Sequence, residues 1–218
     1  GCQPSPGNAQ MESGPVTGRE RGMLLGLVLL ALAWSFIEPF DRLTWLLEVA
    51  PGLLALPILF VTHRSYPLSG LAYRLLFLHA LILIIGGHYT YARVPAGLWF
   101  QDVFELSRNH YDRLGHLAQG FVPAIIAREV LLRSTPLQAD RWLKFLVVCV
   151  CLAISAVYEL VEWLAALISA EAAASFLGTQ GDNWDTQWDM FLALCGALFA
   201  LALARPHDRS MRAAGVYG

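Results

Sequence analysis

The chain has 218 residues, 56% of them hydrophobic and 15% charged, with a formal net charge of -2 at pH 7. An ordinary soluble domain carries roughly 45–50% apolar and about 25% charged residues, so this is the composition of a membrane protein. The near-neutral balance leaves no basic surface able to follow a phosphate backbone, which excludes nucleic acid as a partner.

Residues 1–22 form a polar lead-in rich in Pro, Gly and Ser, expected to be disordered, with Met11 as a candidate start. The first apolar segment runs from Met23 to Ile37 and is closed by Glu38, Pro39 and Phe40. It is long enough to cross a bilayer if Gly22 and Glu38 lie at the interfaces. A second runs from Leu46 to Thr62 and carries Pro51 and Pro57, where a kink is expected. The third spans Ser69 to His88. Between Gly97 and Asn109, Leu98, Trp99, Phe100, Val103, Phe104 and Leu106 oppose Gln101, Asp102 and Glu105, a pattern suited to a helix lying in the interface. Further apolar segments follow at Leu114–Leu132, Trp142–Leu167 and Gln187–Ala204. Cys149, Cys151 and Cys195 lie inside these runs and read as small buried hydrophobes.

The expectation is an all-α, polytopic membrane bundle of about six transmembrane helices over residues 23–205, followed by a cytoplasmic tail of residues 206–218. Lys and Arg set the orientation. With a cytoplasmic amino terminus, eleven of the fifteen basic residues fall on the inner side, leaving Arg42, Arg93, Arg108 and Arg113 outside. Both termini are then cytoplasmic. The same assignment gathers every acidic pair on the outer face.

Those pairs are Asp112 with His116, Glu159 with Glu162, and Asp185 with Asp189. Residues three or four apart project from one side of a helix, so each pair forms a two-pronged fork. Five carboxylates and an imidazole turned inward require protons, arginines or a cation to neutralise them. Carboxylates on facing helices are one way that bundles hold divalent metals, and an oxygen-rich set favours Mg, Mn or Ca, with Zn or iron open through His116 or His88. Arg108, Arg113 and His88 are the candidates for holding a substrate, the arginines by paired hydrogen bonds to a phosphate. A plainer reading stands beside this: Asp112 pairs with Arg113, Glu159 and Glu162 pair with Arg108 or Arg113, and Asp185 caps the last helix. The stretch from Gly178 to Thr186 is too polar for lipid and reads as an outer loop able to cover a pocket. His79, in mid-helix, reads as a core histidine bonded to a neighbour. No phosphate-cradling glycine loop, cysteine zinc pattern or H-E-x-x-H is present. Ser155, four residues before Glu159, lacks a placed base.

The runs GGHYTYA (Gly86–Ala92), NHYDRLGHLAQGFVPA (Asn109–Ala124), YELVEW (Tyr158–Trp163) and LGTQGDNWDTQWDM (Leu177–Met190) closely resemble the YjdF-type bacterial inner-membrane protein family. The resemblance covers nearly all of the chain after Met23. It implies a multi-pass protein of the bacterial inner (cytoplasmic) membrane and brings no activity with it. A more distant similarity is to VanZ-like proteins, with Asp112 and His116, Glu159 and Glu162, and Asp185 and Asp189 as the matching positions. Asp189 and the loop from Gly178 to Trp184 depart from that pattern, and what it implies is work near cell-envelope lipids, by analogy alone. Three functions stay open: a divalent-metal-dependent enzyme acting on an envelope lipid or precursor, a proton- or cation-coupled transporter or lipid-binding protein, and a non-catalytic structural membrane protein.

Overall fold

Side chains that cap helix ends decide where the spans begin. Thr17 accepts the Glu20 amide, Asp41 the Thr44 amide at 2.7 Å, and Ser69 the Ala72 amide, each satisfying a donor that the first helical turn leaves open. The computed structural model describes residues 16–168 and 179–217. The lead-in residues 1–15 and Gly178 of the outer loop lie outside these. Among the described residues the chain is all-helical: α1 (Gly18–Phe36), α2 (Arg42–Thr62), α3 (Gly70–Tyr89), a 3-10 turn (Tyr91–Arg93), α4 (Pro95–Val103), α5 (Tyr111–Ser134), α6 (Arg141–Ile168), α7 (Asp185–Ala202) and α8 (Ala204–Ala213).

The six long helices α1, α2, α3, α5, α6 and α7 correspond to the six expected segments. By length and apolarity α2, α3 and α6 each suffice to cross a membrane, and α7 with α8, bent by 61°, makes a fourth. Helix α1 carries Arg19, Glu20 and Arg21 in its first turns, and α5 carries charge at both ends. Helix α5 nevertheless sits at the centre, packed on α3, α6 and α7, so Asp112, Arg128 and Glu129 are buried against protein and not lipid. Helices α1 and α2 both pack on α3.

Burial is inverted relative to a soluble bundle. On α6, Ile154, Val157, Leu160, Trp163 and Leu164 face outward, whereas the buried stripe at helical spacing reads Leu143, Val147, Cys151, Ser155, Glu159, Glu162. In water this would expose the greasy face and bury the ionic one; in a bilayer both choices are favourable. Helix α7 shows the same gradient, from Asp185 and Asp189 through Ala193, Gly196 and Ala197 to Ala200. Its small residues let α5 approach closely: a Cβ on Gly120 would collide with the Ala193 carbonyl, and one on Gly196 with the Leu117 carbonyl.

The two ends of the bundle differ in chemistry. At one end Glu20 pairs with Arg74 at 2.8 Å, and Glu129 of α5 gathers the Ser69 amide, Arg133 and His207 of α8 at 2.8, 2.8 and 3.1 Å. Residues 206–217, read as tail, therefore include most of a helix whose His207, Ser210 and Met211 are buried. At the other end the Phe40 amide reaches the His88 carbonyl at 2.9 Å and Trp45 Nε1 donates to Ser35 at 3.0 Å. An apolar layer including Ala124, Ile125, Val147, Cys151 and Ala197 lies between the two polar ends.

Candidate metal centre

Three helices bring the expected forks together at one end. Asp112 and His116 lie in the first two turns of α5, Asp185 and Asp189 in the first two of α7, and Glu159 and Glu162 towards the end of α6, all six no more than 7% exposed. His116 is the hub: its Nε2 lies 3.5 Å from Asp112 and 3.8 Å from Asp189, and its Nδ1 lies 3.8 Å from Glu159. Asp112, His116 and Asp189 offer three ligand atoms all within 4.8 Å of one another, so this buried Asp–His–Asp group could hold a metal ion. Glu162, one turn beyond Glu159 on α6, is buried with them.

The arginines divide unequally. Arg108, 6% exposed, donates to Asp185 at 2.6 Å and lies 3.8 Å from Asp112 and 3.5 Å from Asp182. Arg113 points to the loop, pairing with Asp182 at 2.8 Å and stacking 5.3 Å over the Trp188 ring. Asp185 thus meets Arg108 and does not serve as a side-chain cap. No arginine contact is found for Glu159 or Glu162 among the described residues. His88 does not join the group: its Nδ1 meets the Ser35 carbonyl at 3.1 Å and its ring stacks on Trp34 at 4.3 Å, which ties α3 to α1.

Glu48 of α2, a lone carboxylate in the sequence, is only 1% exposed and accepts hydrogen bonds from the Tyr158 and Tyr91 hydroxyls, the former at 2.9 Å. Tyr158 also lies edge-on to His116, with ring centres 6.1 Å apart, so Glu48 joins the centre through one aromatic ring. Tyr91 can enter only because residue 86 is glycine, where any Cβ would strike its ring. Burial, then the charges of Glu48 and Asp112, push the Tyr91 phenol well above its usual value, so it remains a proton donor. The one signal for Glu48 was its height in the membrane, level with the forks; for Tyr91 and Tyr158 it was proximity to GGH and EL alone.

The mouth is closed by a loop. Gln180 accepts from the Asn109 amide and donates to its carbonyl, both at 2.9 Å, and Asn109 in turn donates to the Ala92 and Val94 carbonyls. Gln180 adopts this role at φ 48°, a left-handed conformation that the reciprocal pairing offsets. Residues 179–184 are therefore fastened to the entry of α5. Burial, then Arg113 and Arg108, hold the neighbouring His110 imidazole below the ordinary histidine value, so at neutral pH it adds no positive charge there.

Among the described residues, six buried carboxylates, Glu48, Asp112, Glu159, Glu162, Asp185 and Asp189, thus face one guanidinium and one imidazole. Two bare charges about 4 Å apart repel by about 4 kcal/mol at an effective dielectric near 20. His116 Nδ1, Glu159 Oε1 and Asp189 Oδ1 are buried with no hydrogen bond, each a loss of roughly 1–3 kcal/mol. Protons or a cation would relieve both costs.

The comparisons with known proteins agree with this architecture. The family described as "Predicted membrane protein (DUF2238)" matches over residues 21–209. The inner membrane protein YjdF of Escherichia coli (strain K12) is 53% identical over 188 residues, which cover 86% of this chain and 90% of that protein. No solved structure matches. With its lipid-facing apolar surfaces and buried ionic core, the chain is a multi-pass inner-membrane protein and belongs to the DUF2238 family.

Proposed function

We propose that the protein holds a divalent cation between α5, α6 and α7 at the extracytoplasmic end of the bundle and uses it to act on an envelope lipid or lipid-linked precursor. The observation that carries this reading is the buried Asp112–His116–Asp189 group, with ring and carboxylate atoms that lack hydrogen bonds inside a large excess of carboxylates. Asp112, His116 and Asp189 are the ligands, and Glu159, 3.8 Å from His116, is the nearest base. Such an ion would polarise a phosphoryl or carbonyl oxygen and acidify a bound water. Arg113 supplies a phosphate contact once the Asp182 loop releases it, and Arg108, which stays on Asp185, adds its charge and remaining donors from behind. Helix α4, with Leu98, Trp99, Phe100 and Val103 exposed, lies in the interface beside this entrance and suits a substrate arriving from the bilayer. The extracytoplasmic placement rests on the eleven-to-four distribution of basic residues between the two ends.

Coupled transport fits less well, because the apolar layer separates the acidic end from the Glu129–His207 end. Elemental analysis of detergent-purified protein is the test. Wild type should retain stoichiometric divalent metal and Asp189→Asn should lose it while staying folded by circular dichroism. A folded wild-type protein that neither carries nor takes up divalent metal overturns the reading.

A further inference from the structure

Helices α1 and α2 pack on opposite flanks of α3 but hardly on each other. They are joined near the acidic end, where Trp45 donates to Ser35, and through the cluster of Val28, Val49 and Ile84. Between them and α3 lies a cleft of about 500 Å³, within the roughly 300–1,000 Å³ usual for small-molecule sites. Its walls are mostly apolar, its floor is Leu76, Phe77, Ala80 and Leu83 of α3, and no carboxylate lines it among the described residues. The cluster of Val28, Val49 and Ile84 plugs its upper end, which separates it from Glu48 and the acidic centre.

Four polar side chains line this cleft, and one of them, Tyr73, already accepts the Leu68 amide at its hydroxyl. Arg21 lies 5.9 Å from the centre of the Tyr73 ring, while the adjacent Glu20 is taken up by Arg74. His63 lines the same cleft, its Nδ1 already on the Phe60 carbonyl and its Nε2 left for a ligand. His79 lies six residues beyond Tyr73 on α3, roughly 9 Å deeper at 1.5 Å per residue; its Nε2 is buried with no hydrogen bond among the described residues, and a turn of the ring about its side-chain bonds brings that atom to a ligand in the cleft. A cationic mouth, a greasy shaft and an unanswered polar atom between them match one molecule. We infer that the cleft between α1 and α2 binds an anionic phospholipid of the inner leaflet, its phosphate at Arg21 and His63, one acyl ester carbonyl at His79 Nε2 and the chain along α3. This site is independent of the metal centre and lies at the opposite end of the bundle.

The glycines provide the test. Gly52 lines the cleft, and a Cβ added there meets nothing within 4 Å, so a side chain can start into the lipid's space at this position and Gly52→Phe obstructs it. Native mass spectrometry of the full-length protein, titrated with phosphatidylglycerol, phosphatidylethanolamine or an ether-linked phosphatidylglycerol, reads the adducts. Wild type should prefer phosphatidylglycerol. Arg21→Gln should cut that preference by about tenfold, as expected for one charge-assisted contact. His79→Leu should reduce binding of the ester lipid to the level of the ether lipid, and Gly52→Phe should remove all three adducts while circular dichroism stays unchanged. Equal retention of all three lipids by wild type, undiminished adducts in Gly52→Phe, or a protein dimer in place of lipid adducts overturns the assignment.

Discussion

Arg108 and Arg113 are five residues apart, and their surroundings set very different consequences for losing them. Arg108 is buried and supplies the only guanidinium within reach of Asp185 and Asp112 among the described residues, so Arg108→Met leaves the buried Asp185 uncompensated and Asp112 with His116 alone. Removing one partner of a buried pair costs about 3–5 kcal/mol. Arg113 and Asp182 are each nearly a quarter exposed, and such a pair contributes about 0–1 kcal/mol once water screens it. Thermal unfolding in detergent should therefore drop sharply for Arg108→Met and barely for Arg113→Met. Equal destabilisation by the two would mean that solvent reaches the acidic centre.

At the scale of the helix, the central α5 is polar at both ends and apolar between, and each end fastens a different neighbour. At its Glu129 end the charged groups are paired with one another. Arg128 donates to His207 Nδ1, the ring's Nε2 meets Glu129, and the histidine thereby links α5 to α8. Glu129→Gln should loosen α8 by replacing an acceptor of three hydrogen bonds with a side chain that is half donor. Proteolysis after Arg205 or Arg209 should then accelerate, with metal content unchanged. If α8 stays as protected as in wild type, Ser210 bonded to the Leu71 amide is sufficient to dock it.

These elements also mark what could be read before the fold. The six apolar segments and the forks at spacings of three and four were legible because helical period and hydrocarbon length are properties of a single segment. The Glu129–His207 link was not: Arg128 and Arg133 read as cytoplasmic boundary charges, and their burial depends on α8 folding back by 61°. The same is true of Glu48, whose partners Tyr91 and Tyr158 come from distant parts of the chain. His88 is the converse case, a residue at the right height that faces α1.

For the whole molecule, the polar groups fall into two sets with an apolar layer between, and the alternation of helix directions makes their sidedness testable in one experiment. The Glu20–Arg74 pair, the Tyr66–Ser134 contact and α8 share one end, while the loop of residues 179–184, the α1–α2 connection and α4 share the other. If basic residues stay on the side where they are synthesised, the Gln180 loop faces outward and the Glu129 end faces the cytoplasm. A cysteine at Thr179 should then react with a membrane-impermeant maleimide in intact cells, and one at Gly215 only after lysis, in a background carrying Cys2→Ser. The remaining cysteines do not interfere: Cys149, exposed on α6, and Cys151 and Cys195 all lie within spans where hydrocarbon excludes the charged reagent. Labelling of the Gly215 position in intact cells would put the acidic centre on the cytoplasmic side, and its substrate would then have to be sought among inner-leaflet lipids.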